Sequence, residues 1–144
     1  MDLKECISFA RENPLCSLAT AEDNQPHVRT VRLDQADDTG FYFTLGMTKK
    51  MYRQLCKNPR IELCFFHPDQ DFSQVKQMRV TGLLEEIHDP VMLEKGYEAR
   101  KGLEPLVGKP IKPLLATFRL NSGEVHFWTF MNALKEDQIE VLQF

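Results

Sequence analysis

No apolar run in this chain approaches the 18 residues that a membrane-spanning helix needs, so no span is expected. Positive charge is not in excess. The 18 Lys and Arg stand against 21 Asp and Glu, for a net charge of −3. Neutralising a phosphate backbone needs a dominant basic face, so a nucleic-acid partner is not expected. Several local signatures of chemistry are missing too. There is no GxSxG elbow, no GxxxxGK[ST] loop, no GxGxxG turn and no HExxH or HxxxH pair. His27, His67, His88 and His126 are scattered, so no metal site is expected from spacing. The cysteines Cys6, Cys16, Cys56 and Cys64 form no CxxC pair and lie among apolar neighbours, which reads as buried free thiols in a reducing compartment. The opening MDLKECISFA has neither a basic nor an apolar leader region, so the expected location is cytoplasmic. No paired carboxylates suggest acid–base catalysis, and Glu85-Glu86 read as solvated at a strand end. No catalytic residue can be named.

What is present fits one domain over residues 1–144, with 42% hydrophobic and 27% charged residues. Leu3, Cys6, Ile7 and Ala10 follow helical spacing before Asn13-Pro14, which predicts a helix over residues 2–13. CSLATAE, HVRTVRLD, FYFTLG, RIELCFF and VKQMRVTGLLEEI read as strands, separated by the turns DNQP and QADDTG and by the polar loop HPDQDFSQ. TKKMYRQLCKNP reads as a helix with Met51 and Leu55 inward and Cys56 as a further candidate for that face, and residues 90–101 as another. GLEPLVGKPIKP is a proline-rich loop, and LLATFRL-NSG-EVHFWTF reads as a β-hairpin. The expected fold is mainly β (α+β): a six- or seven-stranded antiparallel barrel with two to four short helices.

The unusual feature is cationic. In TLGMTKKMYRQL, Lys49 and Lys50 stand at the start of a helix, whose partial positive charge disfavours cations. Thr48 is a plausible N-cap. Arg29 shares a strand face with Val31 and Leu33, so an apolar stripe ends in a guanidinium. In a meander the strands carrying Arg29 and Thr44 would be neighbours. Two readings remain open at this point. The lysines are solvated and Arg29 snorkels, or these groups and the free N–H donors of the helix start hold an anion such as a phosphomonoester.

The string PHVRTVRLD, GFYFTLGMTKKMYRQLCKNPRIELCFF, VKQMRVTG and GEVHFWTF, from about residue 15 to 130, resembles the pyridoxamine 5′-phosphate oxidase-like superfamily of flavin-binding split barrels. The resemblance implies a split β-barrel homodimer with FMN in clefts between the subunits. It implies that Arg29, Lys49 and Lys50 hold the FMN phosphate, helped by Thr48. Thr30 and Val31 would run beside the flavin, with Phe43 and Thr44 at the end of the next strand and Thr44 bonding the cofactor. Gln77 would reach the flavin from the long strand, where alternation puts it opposite Met78 and Val80. Trp128 would come across the dimer. The chain departs from the vitamin-synthesising members at Asp34, where they carry a basic residue, and in YEARKGLEPL and TFMNALKEDQ, which do not reproduce their substrate-gripping segments. The implied activity is therefore an FMN-dependent oxidoreductase acting with a small-molecule electron donor or acceptor, and not oxidation of pyridoxamine phosphate. The alternative on the same fold is a non-catalytic flavin or haem carrier, or a stress protein.

Overall fold

A computed structural model describes residues 1–144, and its first element is the helix α1 (Leu3–Glu12). Asp2 caps that helix by accepting from the Glu5 N–H at 2.9 Å. Strands β1 (Leu15–Glu22) and β2 (Gln25–Arg32) form a hairpin. Its loop is only Asp23-Asn24, both at positive φ (52° and 62°), a conformation Asp and Asn tolerate. The expected turn DNQP thus shrinks, because Gln25 and Pro26 join the strand. The expected turn QADDTG contains a short strand, β3 (Gln35–Asp37), paired with β4 (Gly40–Gly46). Helix α2 (Lys50–Lys57) follows, and Asn58-Pro59 ends it as expected.

Strand β5 (Arg60–His67) leads to β6 (Lys76–Leu83). The long strand expected over residues 75–87 is broken at Leu84, which is 1% exposed and donates its N–H to Pro59 O at 2.9 Å. The chain there crosses to a second sheet as β7 (Glu85–Ile87). Helix α3 (Pro90–Glu98) starts on an Asp89 cap. The proline-rich segment carries one further turn of helix, α4 (Glu104–Val107). Strands β8 (Leu115–Leu120), β9 (Gly123–Thr129) and β10 (Leu142–Gln143) complete the chain.

The strands form two antiparallel sheets, ordered β10-β9-β6-β5-β1-β2 and β3-β4-β8-β7. This is the split barrel expected, with ten strands instead of six or seven. Two expectations fail. First, β8 and β9 are not a hairpin: β8 pairs with β4 and β7, and β9 with β6 and β10. The link at residues 121–122 is a corner between sheets. It closes tightly, since a Cβ on Gly123 would lie 2.0 Å from the Thr81 carbonyl oxygen. Second, β2 and β4 are not neighbours, because β2 ends one sheet and β4 lies within the other.

Both sheets send apolar side chains into one core that includes Leu18, Phe41, Phe43, Leu63, Phe65, Met78, Val80, Phe118 and Val125. Burying each such side chain contributes about 1.5–3 kcal/mol. The cysteines divide. Cys6 and Cys16 are buried and free as expected, but Cys64 is half-buried on the outer sheet face and Cys56 is exposed on α2. Glu85 and Glu86 are more engaged than a solvated strand end. Glu85 pairs with Arg119 at 2.7 Å, and Glu86 accepts from the Tyr52 hydroxyl at 3.1 Å.

Candidate functional site

Arg29 lies opposite Leu18 in the β1–β2 register, so its side chain leaves the core-facing side of the sheet and is half-buried. Its Nη1 donates to Thr20 Oγ1 at 2.8 Å and to the carbonyl oxygens of Leu18 (3.3 Å) and His27 (3.4 Å). Its Nη2 donates to Gln54 Oε1 at 2.6 Å. Every one of these acceptors is neutral. No ion pair of the chain involves Arg29, Lys49 or Lys50. Burial alone pulls the Arg29 guanidinium below its ordinary pKa, with no carboxylate to raise it again. A cation withdrawn from water without an anion is costly, so its placement requires an explanation.

Gln54 belongs to α2, one turn beyond Lys50. The helix packs against β1 through the stripe Met51, Gln54, Leu55, all buried. This brings Arg29 to the helix that begins with the lysines, without any pairing between β2 and β4. The helix start itself is uncapped. Lys49 occupies the N-cap position with no side-chain hydrogen bond, and Thr48 precedes it, exposed. The expected Thr48 cap is therefore absent: the helix begins one residue later than a Thr48 cap requires. The first-turn N–H groups consequently have no side-chain partner. Lys49 lays its stem over Gly46, and both lysines are exposed.

The backbone near Arg29 is also open. β2 is the last strand of its sheet, so one edge of Arg29, Thr30 and Val31 has no strand beside it. β3 covers β4 only as far as Tyr42, whose carbonyl accepts from the Asp34 N–H at 2.9 Å. Phe43–Gly46 therefore also has no strand partner on that side. The Phe43 ring is in the core. The Thr44 side chain points to α3 and is 5% exposed, with its hydroxyl lacking any partner. A Cβ on Gly96 would lie 1.9 Å from Thr44 Oγ1, so only glycine fits there. Neither side chain of this pair is open to a ligand, and what they offer outward is main chain.

Gln77 and Trp128 are register partners on β6 and β9, side by side on the face away from the core, as alternation predicts. Thr30 projects from the same outer face, paired with Ser17. The face holds a depression of about 310 Å³ lined by Val28, Glu62, Cys64, Gln77 and Arg79, among others. Arg29 and the Gln77–Trp128 pair thus lie on opposite faces of one sheet.

Thr20, Gln54 and Arg100 were not visible as site residues in the sequence. Gln54 had a signal, being a polar residue on the apolar stripe of α2. Asp34 pairs with Arg100 Nη1 at 2.9 Å, and Arg100 also donates to Gly96 O at 2.9 Å. That side chain ties the end of α3 to the β2–β3 junction. The histidines stay apart, and no cluster of three or more His, Cys, Asp or Glu side chains could hold a metal ion.

The family model described as pyridoxamine 5′-phosphate oxidase matches residues 3–129. A pyridoxine/pyridoxamine 5′-phosphate oxidase of Pelagibacter ubique is 30% identical over 91 residues, covering 60% of this chain and 42% of that protein. The chain thus spans less than half the length of this relative. Among solved structures, a NimC/NimA family protein of Clostridium acetobutylicum superposes with a TM-score of 0.74 at 22% identity, over 99% of this chain and 92% of the other. A haem-binding protein of Mycobacterium smegmatis superposes with a TM-score of 0.71 at 12% identity, over 98% and 57%. At these identities the likeness is one of fold.

Proposed function

The chain belongs to the pyridoxamine 5′-phosphate oxidase family, and we propose that it is an FMN-dependent oxidoreductase that works as a cytoplasmic homodimer on a small-molecule electron donor or acceptor. The observation that carries this reading is Arg29, a half-buried guanidinium with neutral partners only, bonded through Gln54 to the helix whose uncapped start carries Lys49 and Lys50. A phosphomonoester supplies the missing negative charge and accepts from the free N–H groups of that helix. In this reading Arg29, Lys49 and Lys50 hold the FMN phosphate. The open edges at Thr30-Val31 and Phe43–Thr44 run beside the ring system.

The same geometry supports the dimer. Gln77 and Trp128 lie on the sheet face opposite Arg29, and a second copy that supplies one of these groups would let one ligand meet both. When bound, the flavin carries the redox chemistry. The chain supplies positive charge, orientation and exclusion of water. Pyridoxamine phosphate is not the proposed substrate. Asp34, which stands where the resemblance calls for a basic residue, is already engaged by Arg100.

The test is the visible spectrum of the protein after FMN is added and the excess removed. Flavin bands that stay with the protein are expected, and a protein that refuses FMN overturns the reading. The second reading is a non-catalytic carrier, supported by the fold likeness to a haem-binding protein. Anaerobic NADH or NADPH added to the flavin-loaded protein separates the two. Bleaching is expected for the oxidoreductase, whereas a Soret band in the purified protein favours haem.

A further inference from the structure

Gln54 is 2% exposed, yet it is polar and sits on the buried stripe of α2. Its Oε1 accepts from Arg29 Nη2 at 2.6 Å and from Thr20 Oγ1 at 2.8 Å. Thr20 Oγ1 in turn accepts from Arg29 Nη1 at 2.8 Å. The end of the guanidinium, its two Nη atoms, is therefore held by two neutral oxygens that touch each other. A guanidinium carries five N–H donors in a fixed fork. Neither Nε–H nor the Nη2–H parallel to it is needed by this arrangement, and Nε has no protein acceptor. Those two form the parallel pair that binds carboxylate or phosphate in bidentate fashion.

We propose that Gln54 is the positioning residue of the phosphate site: it fixes the Arg29 fork through one end while withholding any negative charge, so that the other edge and the full cationic charge remain for an external phosphate. This rests on the FMN reading given above. Its physical content is that the residue must be both a hydrogen-bond acceptor and neutral. Glutamate at the same position has the same reach and accepts the same hydrogen bonds, but it pairs with Arg29 internally. The internal pair competes with the phosphate while leaving the fold intact. A purely structural role for Gln54 predicts the reverse, since a carboxylate beside an unpaired guanidinium would then be harmless or beneficial.

The experiment measures dissociation constants for FMN and for riboflavin, which lacks the phosphate, together with thermal midpoints. The proteins are wild type, Gln54→Glu and Gln54→Met. The readout is the ratio of the two affinities, which isolates the phosphate. Wild type is expected to favour FMN over riboflavin. Gln54→Glu is expected to lower that preference about 10-fold or more, the size of one charge-assisted hydrogen bond, with a midpoint at or above wild type. Gln54→Met is expected to lower the preference less and to lower the midpoint, because the fork loses its anchor. A wild-type ratio in Gln54→Glu overturns the proposal while leaving the FMN site standing. If Gln54→Glu does not fold, a wild-type ratio in Gln54→Met overturns it instead. A wild-type protein that binds FMN no better than riboflavin overturns the phosphate reading itself, and this inference with it.

Discussion

Arg29, Lys49 and Lys50 carry the same formal charge, but in the proposed phosphate site they are expected to contribute by different amounts and with different salt sensitivity. Lys49 and Lys50 are exposed. A unit charge about 4 Å from another in water interacts by about 1 kcal/mol. A phosphate of roughly −1.5 to −2 raises this to about 1.5–2 kcal/mol, and screening over a Debye length of about 8 Å at physiological salt trims it to about 1. Lys49→Ala and Lys50→Ala are thus each expected to weaken FMN binding about 5-fold, and less at about 0.5 M salt. Arg29 is half-buried and offers a preset fork. A hydrogen bond to a charged group in such a setting contributes about 1.5–3 kcal/mol, so Arg29→Ala is expected to cost roughly 10- to 150-fold, with little change at high salt. Arg29→Lys, which keeps the charge and loses the fork, is expected to lie between the two. Titration of FMN fluorescence at about 0.05 M and about 0.5 M salt reads all of this directly. Equal losses for the three cations, or unchanged affinity in Arg29→Ala, would refute the argument that burial ranks them.

Two further predictions concern the scaffold around the site. Gly96→Ala places a methyl group 1.9 Å from Thr44 Oγ1, so it is expected to destabilise the protein by about 1–3 kcal/mol, seen as a lowered urea midpoint. A midpoint equal to wild type would mean that α3 does not pack on β4 as described. Burial pushes the Cys6 thiol up to about 11 and the Cys16 thiol up to about 12 from an ordinary 9.0. For a thiol with a raised folded pKa, the stabilisation is full below pH 9 and is lost as pH rises toward 11–12. Unfolding titrations over that window are expected to show stability falling with pH, and Cys16→Ala to flatten the fall. An unchanged slope would refute this.

The periodic parts of this protein are legible in the chain alone. Strand alternation placed Gln77 opposite Met78 and Val80, the 3.6-residue stripe put Met51 and Leu55 inward on α2, and Asn-Pro pairs stopped both α1 and α2. These are local consequences of side-chain direction, and they hold whatever the rest of the chain does. The sequence also marked Arg29 as a cation at the end of an apolar stripe. Strand partnership was another matter. β8 and β9 look like a hairpin because they are close in sequence, but β8 contributes to one sheet and β9 to the other. The break at Leu84 is likewise invisible in an alternating run, because alternation continues on both sides of a crossing between sheets.

The same cause decided the site. The chain alone suggests that Arg29 and the lysines meet through adjacent strands. The tertiary structure separates those strands and joins the groups instead through Gln54, on a helix packed across β1. It also closes α3 over the Thr44 hydroxyl, which reads in sequence as an available donor. Whether a polar side chain is anchored, covered or free depends on what packs against it from distant parts of the chain, and that information resides in the assembled sheets and not in any local spacing.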